Sequence, residues 1–248
     1  MAGHSKFANI KHRKGAQDAK RAKLFTKILR EVTVAVKVGN PDPDSNPRLR
    51  SALIEARSNN IPKDRIEAAV KKASSIGEGD NYEEIRYEGY APGGIAIIVE
   101  ALTDNRNRTA SAVRSTFTKA GGTLGETGSL SFMFDRVGLI KFDGNVASED
   151  DMFEIALEAG AQEVESSEQM HVAVTALEDF ISVRDALIEK FKDPISAKLE
   201  WVTKDSIEID NLEKAQKIMR MVDALEDLDD VQTVTGSYDF SDEVLEQL

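Results

Sequence analysis

Residues 137–203 read VGLIKFDGNVASEDDMFEIALEAGAQEVESSEQMHVAVTALEDFISVRDALIEKFKDPISAKLEWVT, and the order of their periodicities decides the fold. Gly138–Phe142 is a short apolar run with strand character. Asp150–Ala159 repeats apolar residues at helical spacing. Short strands are predicted at Glu163–Glu165 and His171–Ala176, a second helix at Leu177–Phe191 and a last strand at Ala197–Val202. The series β-α-β-β-α-β is that of a ferredoxin-like fold, complete within one segment.

The flanking segments are incomplete by the same measure. Before residue 137 the pattern predicts strands at Ile85–Ala91 and Ile95–Leu102, then a helix from Arg108 to Ala120 closed by Gly121-Gly122. A further strand is predicted at Leu130–Phe134. After residue 203 come a strand at Ile207–Ile209, a helix at Leu212–Leu225 and a strand at Val231–Thr235. The first block lacks a second helix, and the C-terminal block supplies one. We therefore expect Val137–Thr203 to be inserted into a discontinuous domain.

Further out, the N-terminal third is helical. Phe25, Ile28, Leu29, Val32 and Val36 share one helix face, and Gly39-Asn40-Pro41 ends it. Asn46-Pro47 opens a second helix with Leu49, Leu53 and Ala56 inward. Asn59-Asn60-Ile61-Pro62 breaks that helix, and Ile66, Ala69, Val70 and Ala73 mark a third. Residues 1–20 hold only Phe7 and Ile10 as large apolar groups and read as a mobile arm. The expected class is α+β and multidomain: an N-terminal three-helix bundle, then two ferredoxin-like α/β sandwich domains, the second inserted into the first. The boundaries are arm 1–20, bundle 20–78, discontinuous domain 79–136 plus 204–248, and insert 137–203.

Charge is divided as sharply as pattern. The chain of 248 residues has a net charge of -12, yet residues 1–75 hold 17 basic and 7 acidic side chains. Residues 76–248 hold 15 basic and 37 acidic ones. Within the first thirty residues nine cations face only Asp18. A polyanion responds to local charge, so a basic arm on an acidic body can neutralise phosphates while the body repels nucleic acid elsewhere. Mean hydropathy is -0.36 and no apolar run approaches bilayer length, so no membrane partner is expected. The N-terminus lacks the apolar segment of a secretory signal. The chain has no cysteine, which excludes disulfides and thiol chemistry and fits the cytoplasm.

Candidate contacts follow from these cations. In the arm, Lys6, Lys11, Arg13 and Lys14 surround Phe7, whose ring can stack on a base. Lys20, Arg21, Lys23 and Lys27 continue the series, and Arg48 and Arg50 open the second helix. Leu49–Ala73 has helix-turn-helix spacing, with Lys63 and Arg65 at the start of the third helix. An ordinary helical hairpin describes it better, because no glycine sits in the turn and Asp64 and Glu67 would face phosphates. Any contact there would be sequence-tolerant. Thr103-Asp104-Asn105-Arg106-Asn107-Arg108-Thr109 enters a helix and has two readings: an anion grip built on Arg106 and Arg108, or capping with surface charge. Tyr87–Gly94 lacks the Lys and Ser/Thr of a phosphate loop and reads as a turn between strands. Glu226–Asp230 lacks the spacing and glycine of a calcium loop and reads as a solvated helix end. His4, His12 and His171 are scattered, so no catalytic residue, metal ligand, cofactor or obligatory small-molecule substrate is expected, and no enzyme.

Several stretches together resemble the YebC family, which includes the bacterial YebC/PmpR proteins and the mitochondrial translational activator of cytochrome c oxidase. They are Ala2-Gly3-His4-Ser5-Lys6, Ile10-Lys11-His12-Arg13-Lys14, Phe25-Thr26-Lys27, Asn46-Pro47-Arg48-Leu49-Arg50, Ile61-Pro62-Lys63-Asp64, Tyr87-Glu88-Gly89-Tyr90 and Leu102–Thr109. The likeness weakens after about residue 145. Phe7 stands where the family usually has Trp, and Ala91 where it usually has Gly. The resemblance implies a three-domain, non-enzymatic, cytoplasmic regulator that binds DNA in transcription. The alternative it implies is a translation factor that binds ribosomal RNA or the ribosome at stalled, proline-rich elongation. The residues alone point to a nucleic-acid partner without choosing DNA or RNA. A third class is an α/β module that senses a small ligand, which would need an enclosed pocket.

Overall fold

The structure, a computed structural model, describes residues 17–75 and 82–248. The N-terminal helices are α1 (Gln17–Val38), α2 (Pro47–Ser58) and α3 (Lys63–Ser74). Asn46 joins the first two. Its Oδ1 accepts from Leu49 N at 3.0 Å, capping α2, while its Nδ2 donates to the Ala35 and Asn40 carbonyls at 2.8 and 2.7 Å. Gly39 leaves room for this: a Cβ there would stand 2.7 Å from Asn46 Nδ2. Ile28, Val32, Val36, Leu49, Leu53, Ala56 and Ile66 are buried, as the helical period predicts, while Phe25 and Leu29 are half-buried.

The described residues group into two compact units. One comprises 17–27, 82–135 and 201–248, and the other 28–75 and 136–200.

In the second unit lie β4 (Phe134–Asp143), α5 (Glu149–Ala159), β5 (Glu163–Ser166), β6 (Met170–Thr175), α6 (Phe180–Phe191) and β7 (Ser196–Thr203), whose first and last strands run past its limits. The sheet order is β5-β6-β4-β7, the ferredoxin-like order expected. Ile140, Phe142, Ala173 and Ala197 pack against Met152, Ala156, Phe180, Val183 and Leu187 of the helices. α5 starts at Ser148, whose Oγ accepts from Asp151 N at 3.1 Å; Glu149, Asp150 and Asp151 sit at the positive helix end. α6 begins at Phe180, three residues later than Leu177, since 177–179 form a turn.

The first unit holds β1 (Glu83–Ala91), β2 (Ile95–Thr103), α4 (Arg106–Lys119), β3 (Thr123–Leu124), β8 (Ile207–Ile209), α7 (Leu212–Glu226), β9 (Val231–Gly236), β10 (Tyr238–Phe240) and α8 (Asp242–Leu245). Its main sheet runs β3-β1-β2-β9, so a C-terminal strand completes a sheet begun before residue 137. Two layers are present as expected, but the strand order departs from the ferredoxin-like one. The central strands β1 and β2 are a sequential antiparallel hairpin, whereas the central β4 and β6 are not sequential. β2 is buried on both faces. Ile95, Ile97 and Val99 meet α4 and α7 in one core, and Ala96 and Ile98 meet Leu130, Phe134 and Trp201 on the other side.

The expected strand at Leu130–Phe134 is corrected to a 3-10 turn at Ser131–Met133 that leads into β4. Its cause is Glu88, a buried carboxylate that accepts from Gly128 N at 2.9 Å and Leu130 N at 2.6 Å. Those donors are thereby taken from any ladder, and Gly128 turns at φ 95°.

Candidate nucleic-acid interface

Five arm residues, Lys6, Phe7, Lys11, Arg13 and Lys14, lie outside the described residues, and so does the side chain of Lys20. The remaining candidates sort by what already holds them.

On α1, Arg21 is exposed, with its guanidinium 5.3 Å from the Phe25 ring centroid. Lys23 and Lys27 reach the end of α7. Lys23 Nζ lies 3.1 Å from the Asp227 carbonyl and 3.2 Å from its Oδ1, and Lys27 Nζ donates to the Glu226 carbonyl at 2.6 Å. Both lysines thus cap the negative end of a helix dipole. The Lys23–Asp227 pair is 42% and 55% exposed, so it is worth at most about 1 kcal/mol and a phosphate can displace it.

Arg48 and Arg50 are engaged more firmly. Arg48 grips Glu31 through Nε and a terminal nitrogen at 2.6 and 3.0 Å. Arg50 reaches the Pro43 carbonyl at 3.2 Å and Asp185 at 3.0 Å. Both arginines are only half-exposed.

α3 is different. Ile66 is its buried anchor, and Lys63 and Arg65 stand exposed at its start. Lys63 meets Glu67 at 3.6 Å with its own side chain 90% exposed. Lys71 and Lys72 are exposed in the last turn, and they were absent from the candidates chosen by sequence. The signal was available: they fall outside the Ile66, Ala69, Val70 and Ala73 face.

At the start of α4 the two arginines part. Arg108 lies within 2.7 Å of Asp104 and 2.8 Å of Asp230, and those hydrogen bonds push its guanidinium pKa further up. Thr109 Oγ1 donates to Asp230 at 2.7 Å, and Asn105 Oδ1 caps Arg108 N at 3.1 Å. This is the capping reading. Arg106, two residues before Arg108, is exposed. Burial raises the pKa of the nearby Tyr87 phenol, and the Arg106 charge works against that rise.

Among the described residues, no three His, Asp or Glu side chains are placed to hold a metal ion. His171 is buried, with Nδ1 2.7 Å from Ser166 Oγ and Nε2 3.1 Å from the Gly144 carbonyl. A carbonyl can only accept, so Nε2 carries a proton. That ring locks a turn. A shallow cavity of about 310 Å³ is lined by Pro92, Gly93, Asn211, Glu213, Lys214 and Lys217.

The family model for the TACO1/YebC N-terminal domain matches residues 5–76, and that for the TACO1/YebC second and third domain matches residues 82–238. The chain belongs to the TACO1/YebC family. Among its relatives is a probable transcriptional regulatory protein of Rickettsia bellii (strain OSU 85-389), 55% identical over 248 residues, covering all of this chain and 97% of that one. A second, from R. bellii strain RML369-C, is 54% identical and covers all of this chain and 98% of its own. The crystal structure of a conserved hypothetical protein from Aquifex aeolicus has this fold, with a TM-score of 0.87 at 43% identity, covering 97% of this chain and 99% of its own.

Proposed function

We propose that this protein is a nucleic-acid-binding regulator of gene expression, a YebC-type transcriptional regulator that acts on DNA in the cytoplasm and catalyses no reaction. The observation that carries the reading is the charge division, with 17 basic against 7 acidic side chains up to residue 75 and 15 against 37 after it. The names of the R. bellii relatives give the same direction. No helix among the described residues is long and apolar enough to cross a membrane.

The arm and α1 supply phosphate contacts through Lys6, Lys11, Arg13, Lys14, Lys20, Arg21, Lys23 and Lys27, with Phe7 stacking. Lys63, Arg65 and Arg106 are exposed and add to them. Arg48, Arg50 and Arg108 contact nucleic acid only by exchanging carboxylates for phosphates. The domain arrangement belongs to the same proposal: arm 1–20, helical domain 20–78, discontinuous domain 79–136 plus 204–248, insert 137–203. Its support is that β9 pairs with β2 while β4–β7 make a separate sheet.

The test is crosslinking of the protein to nucleic acid in cells, followed by sequencing of what is attached. Promoter DNA is the expected result. Enrichment of ribosomal RNA would replace the transcriptional reading by a translational one, and absence of any nucleic acid would overturn both. In vitro, Lys11, Arg13 and Lys14 changed to Ala weaken binding to every duplex alike. The log-log salt slope then flattens by up to ~0.9 per lost contact.

A further inference from the structure

Helix α5 carries two large apolar side chains that its core does not use. Phe153 is 53% and Leu157 39% exposed, four residues apart and therefore on one helix flank. Met152 and Ala156 form the buried stripe instead. Next to the exposed pair stand Asp150 and Glu154, both exposed. α5 packs over β5, an outer strand of its sheet, which presents Glu163.

The stretch of chain that carries the pair is of one sign. From Phe142 to Val183 the chain has eleven Asp or Glu and no Lys or Arg, where its average share would place about five basic residues. Two exposed apolar residues alone need no explanation. An apolar pair inside a wholly acidic stretch selects its cover, because it repels polyanions and attracts cationic surfaces. The chain itself contains a segment of matching chemistry. Residues 1–20 carry Lys6, Lys11, Arg13, Lys14 and Lys20 against Asp18 alone, with Phe7 and Ile10 as their large apolar groups.

We propose that the Phe153–Leu157 flank of α5 is a docking surface for the N-terminal arm of a second copy of this chain. Phe7 and Ile10 of the arm cover Phe153 and Leu157, and the arm's cations face Asp150, Glu154 and Glu163. The contact joins unlike surfaces, so copies associate head to tail. Because the arm also serves the proposed function, nucleic acid and α5 compete for it; that competition alone rests on the functional reading.

Sedimentation velocity of the full chain at low ionic strength tests this, with a synthetic peptide of residues 1–20 as competitor. We expect association that rises with protein concentration, falls with salt and is dissolved by the peptide. Phe153→Ser with Leu157→Ser should weaken it about tenfold or more, since central apolar anchors dominate such contacts. Asp150→Asn with Glu154→Gln should weaken it and blunt its salt dependence, while Glu213→Gln on α7 leaves it unchanged. All these side chains are exposed, so the variants keep the parent melting temperature. A chain that stays monomeric, or a double serine variant that associates as tightly as the parent, overturns the proposal. Duplex DNA should disperse the association. If the peptide disperses it and DNA does not, the docking surface stands and the nucleic-acid role of the arm falls. If DNA binds a chain that never associates, the docking surface falls alone.

Discussion

Each four-stranded sheet carries a carboxylate on the face away from its helices, buried at Glu88 and partly buried at Glu200, and the two are satisfied in opposite ways. Glu88 on β1 is held by backbone: it accepts from Gly128 N and Leu130 N, with Arg86 Nε 2.7 Å away. Arg86 in turn lies 4.8 Å from the Trp201 ring centroid, and Trp201 donates to Glu100 at 3.2 Å. Glu200 on β7 is held by side chains. Lys141 stands 3.2 Å and Lys198 3.5 Å from it, and Lys198 continues to Glu55 on α2 at 3.3 Å. The first arrangement shapes a loop of its own sheet. The second ties a helix of the N-terminal segment to a sheet far along the chain, as do the bonds of Arg184 to the Pro47 carbonyl and Ser51 at 2.9 and 3.0 Å. A carboxylate bound by main-chain donors fixes local conformation; one bound by long cations fixes which elements pack together, and it responds to pH and salt.

The largest test of this contrast is all-or-none. The β4–β7 sheet draws every strand from one continuous stretch, and the β1–β2 sheet needs β9. A fragment of residues 137–203 should therefore fold cooperatively, and a fragment of residues 80–136 should not. Dispersed amide resonances from the second fragment, or none from the first, would break the proposed insertion.

Next in size is Glu88→Ala. It strands the buried Leu130 amide and the part-buried Gly128 amide and removes the partner of Arg86, a loss of about 3–5 kcal/mol by analogy with broken buried pairs. Thermal unfolding gives the total. Hydrogen exchange should locate the loosening at residues 125–133, and protection there equal to the parent's would refute the role assigned to Glu88.

Glu200→Gln should cost somewhat less, about 2–4 kcal/mol, because its cations are long enough to find other partners. Burial works against the charge of Glu200, but Lys198 and Lys141 outweigh it and hold its pKa below the ordinary carboxylate value. Burial also pulls the Lys141 pKa down. For Glu200 the folded pKa lies below the unfolded one. Its contribution is therefore complete above the ordinary carboxylate value and is lost as pH falls through the folded pKa. The parent should lose stability on acidification over that window and the Gln variant should lose less. Identical acid profiles would mean that Glu200 is not the titrating group.

Much of this architecture was legible. Strands such as Ile95–Thr103 and helices such as Leu212–Glu226 announce themselves by apolar period, and nearly all were placed to within a few residues. What was missed is short or long-range. Strands β3 and β10 have two and three residues, too few for any period to show. Leu130 and Phe134 look like strand because both are buried, yet the turn between them depends on a carboxylate about forty positions earlier. Charge was harder still. Counting cations cannot tell a committed arginine from an available one when Arg48 answers Glu31, Arg50 answers Asp185 and Arg108 answers Asp230. The family resemblance, carried by motifs in the first half, supplied a function that composition alone left at nucleic acid.

Smaller again is Asp230→Ala. It deprives Thr109 and Arg108 of an acceptor in a buried corner, about 1–3 kcal/mol. Arg106→Ala nearby should stay within ~0.5 kcal/mol, since its side chain is exposed. Equal destabilisation by the two would show that the whole loop is structural and that Arg106 has no call on a ligand.

The smallest effect on stability should come from α3, where the same contrast between committed and available charge is sharpest. Arg65, Lys71 and Lys72 are exposed, and changing each to Ala removes no buried contact, so each should move stability by no more than ~0.5 kcal/mol. Binding should respond differently. If this face meets duplex DNA, the triple variant should flatten the log-log salt slope by up to ~0.9 per contact, with the same loss on every sequence, because phosphate contacts carry no base information. Arg48→Ala makes the opposite pattern, since it breaks a two-pronged pair with Glu31 and so lowers the melting temperature while leaving the slope per folded molecule unchanged. Melting curves and salt titrations on these two variants separate the roles. A triple variant with the parent's slope would confine phosphate contact to the arm and α1, and an Arg48→Ala variant with a flattened slope would mean that its carboxylate partner gives way to phosphate on binding.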